Sequence, residues 1–107
     1  MFRKVCPREE LWTGEMRACA VAGRALVLID CGGEVSAFAD RCAHQGFPLH
    51  RGRLEGTTLT CAAHEWQYDA CTGAGINPQT VSLRRYPVEV RGQDIWIDID
   101  GGDRRDR

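Results

Sequence analysis

Residues 40–72 decide how the rest of the chain is interpreted, and they read DRCAHQGFPLHRGRLEGTTLTCAAHEWQYDACT. They contain two Cys/His pairs, Cys42 with His44 and Cys61 with His64, which have one and two intervening residues. Sixteen residues separate His44 from Cys61, which is too many for one tight turn and suits two loops at the ends of neighbouring strands. This stretch therefore carries the candidate chemistry, and the flanking segments are interpreted as scaffold.

The flanking segments have the pattern of short antiparallel strands, because runs rich in Val, Ile, Leu and Ala are broken by turns that contain glycine. Ile95, Ile97 and Ile99 alternate with other residues and indicate one buried face of a strand. Apart from one helical turn after Pro7, no helical period is present, so we predict an all-β domain. The predicted strands are 2–6, 15–21, 25–31, 34–39, 57–61, 65–68, 86–91 and 95–99, with hairpins between 15 and 39 and at the end, and 70–80 is predicted to be a loop.

Length and charge limit the possible functions. A chain of 107 residues forms one domain with a small core. Its 14 Arg and Lys residues against 15 Asp and Glu residues leave no basic excess, which argues against nucleic-acid binding. No run approaches the ~18 apolar residues of a membrane span, and the first residues lack the apolar segment of a secretory signal. We therefore expect a soluble, cytoplasmic protein that is monomeric when free and binds no membrane.

Six cysteines in so short a chain suit either a disulfide framework or a metal site. Because the sequence shows no export signal, the reducing cytoplasm favours metal binding. The cysteines outside the two pairs are scattered along the chain and are interpreted as small buried apolar side chains. These are Cys6, Cys19, Cys31 and Cys71.

Two thiolates and two imidazoles can hold a tetrahedral zinc ion, or a 2Fe-2S cluster with the cysteines on one iron and the histidines on the other, or no metal at all. Zinc fingers usually place two Cys together and then two His together on a helix. Here each pair is mixed and no helix follows, which favours a dinuclear site. Each loop would then give one Cys to the first iron and one His to the second.

The spacing of the two Cys/His pairs resembles the signature of the Rieske ferredoxins, and the similarity extends over residues 2–99. Residues 72–78 (TGAGINP) and 86–90 (YPVEV) look most similar to the Rieske ferredoxins of the toluene and alkene monooxygenases, whose partners are carboxylate-bridged di-iron hydroxylases. The other matching segments are Gln45-Gly46-x-Pro48-Leu49, Gly52, Trp66-x-Tyr68-Asp69, Thr72-Gly73, Pro78 and Tyr86-Pro87-Val88.

This resemblance implies a Rieske-like fold, in which a small antiparallel β-sandwich or barrel forms a base and two loops form a cluster-binding subdomain. The whole chain, 1–107, would be a single Rieske domain. The base would comprise residues 1–39 and 76–101, the subdomain residues 40–75, and a flexible tail residues 102–107.

The resemblance also implies which residues hold a 2Fe-2S cluster. Cys42 and Cys61 would bind a buried iron, and His44 and His64 would bind an exposed iron that faces a partner protein. No substrate pocket is expected. The implied neighbours of the cluster are Gln45, Gly46, Trp66, Tyr68 and Pro78.

A one-electron carrier is the implied function, passing electrons from an NADH-dependent flavin or iron–sulfur reductase to the hydroxylase of a di-iron aromatic or alkene monooxygenase. The chain would not be an enzyme itself, because it shows no nucleophile with a base, no carboxylate pair and no phosphate-binding glycine loop after a strand. Two alternatives remain open: the Rieske ferredoxin of a ring-hydroxylating dioxygenase, and a zinc-stapled structural interaction module.

Some positions near the two pairs carry more specific expectations. Tyr68 stands where high-potential relatives have a Tyr whose hydroxyl donates to a cysteine sulfur, and the alternative is an aromatic core residue with its hydroxyl in water. Glu65 replaces a glycine that is common in the family; it either adds a docking charge beside Arg51 and Arg53 or simply points into solvent. His50 is expected to be an exposed loop residue and not a ligand.

Overall fold

The computed structural model describes residues 2–12, 14–42, 47–62 and 65–101, and its regular elements are eleven β-strands and two 3₁₀ turns. These elements confirm the prediction of an all-β domain. Within the described ranges no helix has the length and apolarity needed to cross a membrane. The strands are β1 (Phe2–Pro7), β2 (Met16–Val21), β3 (Arg24–Cys31), β4 (Glu34–Ala39), β5 (Arg53–Glu55), β6 (Thr58–Thr60), β7 (Gln67–Asp69), β8 (Gly75–Asn77), β9 (Arg85–Tyr86), β10 (Val88–Arg91) and β11 (Asp94–Asp98), and the turns are Arg8–Glu10 and Leu49–Arg51.

The strands form three antiparallel sheets, which we call the first sheet (β1-β11-β10), the second sheet (β2-β3-β4-β9) and the third sheet (β5-β6-β7-β8). The hairpins β2–β3, β3–β4 and β10–β11 confirm the predicted pairings. A two-residue loop connects the strands in each of the first two hairpins. The φ angles are 52° and 80° at Ala22-Gly23, between β2 and β3, and 65° and 96° at Gly32-Gly33, between β3 and β4. Positive φ at both loop residues gives the turn whose twist matches that of paired strands.

The predicted strand that contains Pro87 is two strands in different sheets. Tyr86 ends β9 and pairs with Ala37 in the second sheet, whereas Val88 begins β10 and pairs with Ile97 in the first sheet. Proline has no N–H to donate to a ladder, so it lies between the two pairings. This segment therefore links the two sheets directly.

Strand β8 corrects the prediction that residues 70–80 form a loop, since it pairs with β7 through Asn77 opposite Gln67. A three-residue strand that begins with glycine carries almost no sequence signal. Strand β5, which pairs with β6, is likewise not predicted from the sequence. The division of the chain into a base and a loop-bearing subdomain stays a prediction, and β8 lies across its boundary at residues 75–76.

Strand β3 separates two apolar cores, because its last six residues are buried. Val27, Ile29 and Cys31 face the first core, while Leu26 and Leu28 face the second core. The three isoleucines of the last hairpin pack together in the second core, as predicted. The first core also contains Phe38, Cys42, Leu49, Leu59, Cys61, Tyr68, Ala70 and Leu83, and the second core also contains Cys6, Leu11, Val21, Ala37, Tyr86, Ile95, Ile97 and Ile99.

Cys31 and Cys71 form a disulfide, so the prediction that they are isolated apolar side chains is wrong. Cys31 ends β3, Cys71 lies in the turn after β7, and their Cα atoms are 5.5 Å apart. Because the two cysteines are separated by 40 positions in sequence, only the tertiary fold reveals the pairing. Cys6 and Cys19 are free, and burial raises the pKa of both thiols, to about 11 for Cys19.

Reduction of the Cys31–Cys71 disulfide is expected to lower the free energy of unfolding by roughly 4 kcal/mol, because the cross-link restrains a loop of about 40 residues in the unfolded chain. Urea titrations with and without a thiol reductant measure the difference. A Cys19→Ser variant is the control, since it keeps the disulfide and is expected to show the same shift. Equal midpoints with and without reductant would contradict the prediction.

Candidate metal centre

Two loops with the same closure carry the candidate cysteine ligands. The first loop runs from Cys42 to Phe47, and the amide of Cys42 donates to the carbonyl of Phe47 at 2.8 Å. The second loop runs from Cys61 to Trp66 and closes through the corresponding hydrogen bond, also at 2.8 Å. Each loop begins with a cysteine and closes on the fifth residue after it. The two cysteines therefore occupy equivalent positions.

Four of the predicted site residues lie outside the described part of the chain: His44, Gln45, Gly46 and His64. Their part in the site stays a prediction. Among the residues that the structure describes, no group of three or more His, Cys, Asp or Glu side chains is arranged to hold a metal ion. The described contribution to a metal centre is the pair of thiols.

The thiols of Cys42 and Cys61 lie in the first core. Cys42 is 2 % exposed, Cys61 is fully buried, and neither takes part in the disulfide. Thiolates are soft ligands that suit iron–sulfur clusters, zinc or copper(I). Two such groups at equivalent positions fit the cysteine half of a 2Fe-2S cluster that has mixed ligands.

Tyr68 connects the third sheet to the first loop. It lies in β7 opposite Leu59 of β6, and its side chain is fully buried. The hydroxyl oxygen is 3.3 Å from Cys42 Sγ. A thiolate has no proton, so Tyr68 is the donor whenever Cys42 is ionised. The alternative in which this hydroxyl points into water is wrong, because the hydroxyl is enclosed in the first core.

Trp66 and Pro78 border the second loop. Trp66 closes this loop through its carbonyl, and its half-buried side chain packs against the first core. Asn77, which precedes Pro78, pairs with Gln67, which follows Trp66. Pro78 therefore follows the strand that flanks the exit of the second loop, and its influence on a cluster stays a prediction.

Gly52 allows the segment after the first loop to pass close to the second loop. A Cβ at this position would collide with the backbone carbonyl of Thr60, the residue immediately before Cys61. Glycine is the residue that permits such a close backbone approach. The requirement explains in physical terms why Gly52 belongs to the sequence signature.

Glu65 has a positive φ of 56°, a conformation that glycine adopts without strain. This geometry agrees with the glycine that the resemblance implies at this position. The carboxylate lies 3.5 Å from Arg53, whose Nε is 3.2 Å from Glu55. These hydrogen bonds, first to Glu55 and then to Glu65, raise the pKa of the Arg53 guanidinium. The three side chains are exposed, so they add little stability but offset the charge of Arg53.

Arg51 and Arg53 therefore differ, although the sequence indicates both as docking cations. Arg51 is exposed at the end of its 3₁₀ turn, and among the described residues it has no carboxylate partner. Arg53 lies between two carboxylates. Their part in docking, and that of Glu65, stays a prediction.

His50 makes a contact that the sequence does not reveal. His50 is exposed, as expected, but its ring and its backbone N–H both bind the carboxylate of Asp40. The two residues are ten positions apart, on either side of the first loop. A polar side chain at either position does not by itself predict the contact.

Comparisons with known proteins place these features in a family. Residues 1–87 match the Rieske [2Fe-2S] domain. The chain is similar to the ferredoxin component of the alkene monooxygenase system of Xanthobacter autotrophicus, with 38% identity over 94 residues that cover 87% of this chain and 77% of the relative. It is also similar to the ferredoxin component of the naphthalene 1,2-dioxygenase system of Pseudomonas aeruginosa, with 33% identity over 91 residues that cover 84% of this chain and 88% of the relative.

The fold has a match among solved structures as well. It aligns with a chain of the complex of reduced oxygenase and oxidized ferredoxin in carbazole 1,9a-dioxygenase, with a TM-score of 0.82 and 28% sequence identity. The alignment covers 90% of this chain and 91% of that chain. The matches agree with the resemblance seen in the sequence.

Replacing Tyr68 with Phe is expected to lower the midpoint potential of the cluster-loaded protein by a few tens of millivolts. The hydroxyl stabilises added negative charge at Cys42 Sγ; a hydrogen bond contributes about 1 kcal/mol, and a tenfold change in equilibrium is about 59 mV for one electron. Redox titration followed by EPR measures the shift. Tyr86→Phe, in the second core, is the control. An unchanged potential in Tyr68→Phe would sink the prediction.

Replacing Glu65 with Gly is expected to raise the free energy of unfolding by roughly 1 kcal/mol, because glycine removes the strain of positive φ while an exposed ion pair costs little to lose. Thermal or urea unfolding measures the change. Glu65→Gln removes the charge but keeps the backbone strain, so it is expected to stay within about 0.5 kcal/mol of the wild-type protein. A glycine variant that is no more stable than the wild type would count against this account.

Proposed function

The chain is a member of the Rieske [2Fe-2S] domain family, and on this premise we propose that it carries single electrons from an NADH-dependent flavin or iron–sulfur reductase to the hydroxylase of a di-iron monooxygenase. The observation that carries the proposal is the pair of buried cysteines, both outside the disulfide, in two loops with the same closure. Its relatives are ferredoxin components of oxygenase systems, so the chain is an electron-transfer component and not the catalyst. Its cofactor is a Rieske-type 2Fe-2S cluster, which excludes the zinc-stapled alternative.

In this proposal Cys42 and Cys61 hold the buried iron, and His44 and His64 hold the exposed iron. The support is the burial of the two thiols and the presence of one histidine within each loop sequence. When bound, a cluster with two neutral imidazole ligands accepts one electron at a less negative potential than a plant-type, all-thiolate cluster. The chain itself supplies the thiolates, keeps them out of water and closes both loops through backbone hydrogen bonds.

We assign supporting roles to the residues around the thiols. Tyr68 orients Cys42 and donates to its sulfur. Trp66 covers the second loop where this loop meets the first core. The remaining proposed neighbours of the cluster are Gln45 and Gly46, which belong to the first loop in sequence, and Pro78, which follows the strand beside the second loop.

The partner is proposed to dock beside the first loop. Phe47 is 37% exposed at the end of this loop, and Arg51 is exposed four residues later. An exposed aromatic residue beside a cation suits a partner surface that is apolar and carries acidic groups. Glu55 and Glu65 offset the charge of Arg53, so we assign the charge that steers docking to Arg51.

The choice of a di-iron monooxygenase as electron acceptor rests on sequence. Of the two ferredoxin relatives above, the alkene monooxygenase component has the higher identity, and residues 72–78 and 86–90 resemble the ferredoxins of monooxygenases. The structural match to the carbazole 1,9a-dioxygenase complex favours a second candidate, the ferredoxin of a ring-hydroxylating dioxygenase. Both candidates share the carrier chemistry and differ in the acceptor.

The proposed setting is the cytoplasm, where the carrier acts as a free monomer. In that compartment NADH supplies electrons to the proposed reductase. The Cys31–Cys71 disulfide counts against a reducing compartment. Burial of Cys31 restricts the attack of cytoplasmic thiols on its own sulfur, whereas Cys71 is half-buried.

Reconstitution from purified components tests the function. The cluster-loaded chain is mixed with NADH, a flavin reductase and either an alkene monooxygenase hydroxylase or a naphthalene dioxygenase oxygenase. We expect NADH consumption coupled to substrate oxidation to rise above background when the chain and the di-iron hydroxylase are both present, because the chain supplies the electron path between reductase and hydroxylase.

Two cysteine variants control this experiment. Cys61→Ser removes a proposed ligand and is expected to abolish coupled oxidation, whereas Cys19→Ser changes a cysteine outside the loops and is expected to retain it. Coupled oxidation with the dioxygenase alone would favour the second candidate. No coupling with either oxygenase would contradict the carrier function.

A further inference from the structure

The first and second loops are anchored differently. The second loop joins β6 to β7, and the residues next to its ends, Thr60 and Gln67, are paired in that ladder. The first loop comes after β4 and leads into the 3₁₀ turn Leu49–Arg51, so no ladder among the described strands pairs its ends. A contact other than strand pairing must hold the base of the first loop.

Asp40 and His50 meet at that base. Asp40 comes directly after β4, and its side chain is only 5% exposed, although carboxylates are rarely buried without a partner. The backbone N–H of His50 donates to Oδ1 at 2.9 Å, and Nδ1 of its ring lies 2.5 Å from Oδ2. An ionised carboxylate only accepts hydrogen bonds, so the ring donates through Nδ1 whenever Asp40 is ionised. Both carboxylate oxygens therefore bind the same residue.

The backbone on each side of this contact is also fixed. The amide of Asp40 donates to the carbonyl of Ala25 at 3.0 Å, which ties Asp40 to β3 in the second sheet. Leu49, the neighbour of His50, is fully buried in the first core. The contact between the two anchored residues thus closes a ring around the first loop.

We propose that Asp40 and His50 form a clamp that positions the first loop for its cluster, with His50 as a positioning residue that acts through Asp40. The clamp encloses the inner hydrogen bond between Cys42 and Phe47. By fixing the segments on both sides of Cys42 and Phe47, it keeps Cys42 Sγ at the hydroxyl of Tyr68. The inference rests on the proposed ligand set, but it does not depend on which oxygenase accepts the electron.

Two substitutions of His50 separate the hydrogen bond from the bulk of the side chain. In His50→Asn the side-chain amide donates to Asp40 in place of the ring, whereas in His50→Leu a side chain of similar bulk has no donor. The cluster-loaded proteins are mixed with an iron chelator, and the loss of cluster absorbance is followed with time. EPR spectra of the reduced proteins provide a second readout that needs no oxygenase.

We expect His50→Leu to lose its cluster about tenfold faster than the wild-type protein and to change the EPR line shape, since partners that orient metal ligands typically contribute about tenfold or more to metal affinity. His50→Asn is expected to keep the wild-type line shape and to stay within about twofold of the wild-type rate, because the hydrogen bond is restored. The clamp is overturned if His50→Leu loses its cluster at the wild-type rate. It is also overturned if His50→Leu and His50→Asn lose their clusters at the same rate.

Asp40→Asn keeps the test decisive if His50→Leu does not fold. Its amide has the size of the carboxylate but no charge, so both hydrogen bonds lose the strengthening that an ionised acceptor gives. We expect the cluster to be lost faster than from the wild-type protein, and an unchanged rate overturns the proposal. Failure of reconstitution with both oxygenases would refute the carrier function and leave the retention measurements to decide the clamp.

Discussion

The burial of β3 on both faces is the constraint on which the site and the scaffold depend. Val27 and Ile29 pack in the core that holds Cys42 and Cys61, while Leu26 and Leu28 pack in the core behind the first sheet. A shift of this strand by one residue would exchange the two sets of side chains, so its register is fixed from both sides. The position of the thiols is therefore set by packing across the whole fold.

Local chemistry made much of this fold predictable. The hairpin turns at Ala22-Gly23 and Gly32-Gly33 have positive φ, and glycine in the sequence indicates such turns. The alternating isoleucines of the last strand indicated its buried face. The spacing of the two Cys/His pairs was sufficient to indicate the family, because loops that grip one cluster must offer their ligands at nearly fixed intervals. Each of these signals lies within a few residues of the feature that it predicts.

The features that escaped prediction are contacts between segments that only the fold brings together. Cys31 meets Cys71 across 40 positions in sequence, and Asp40 meets His50 around the first loop. No periodicity encodes such pairs, because polar and sulfur side chains acquire partners from tertiary packing. Pro87 is a different case. The residues around it have the pattern of one strand, but proline has no N–H to donate, so the residues before it pair in the second sheet and those after it pair in the first sheet.

The covalent ring closed by Cys31 and Cys71 contains all four proposed ligands, since each of them lies between those two positions. In an unfolded chain with this bond intact, the two ligand cysteines cannot move farther apart than the ring allows. Each then meets the other at an effective concentration set by the length of the ring, of order millimolar for short flexible tethers. The oxidised chain is therefore predisposed to bring Cys42 and Cys61 together before any sheet has formed.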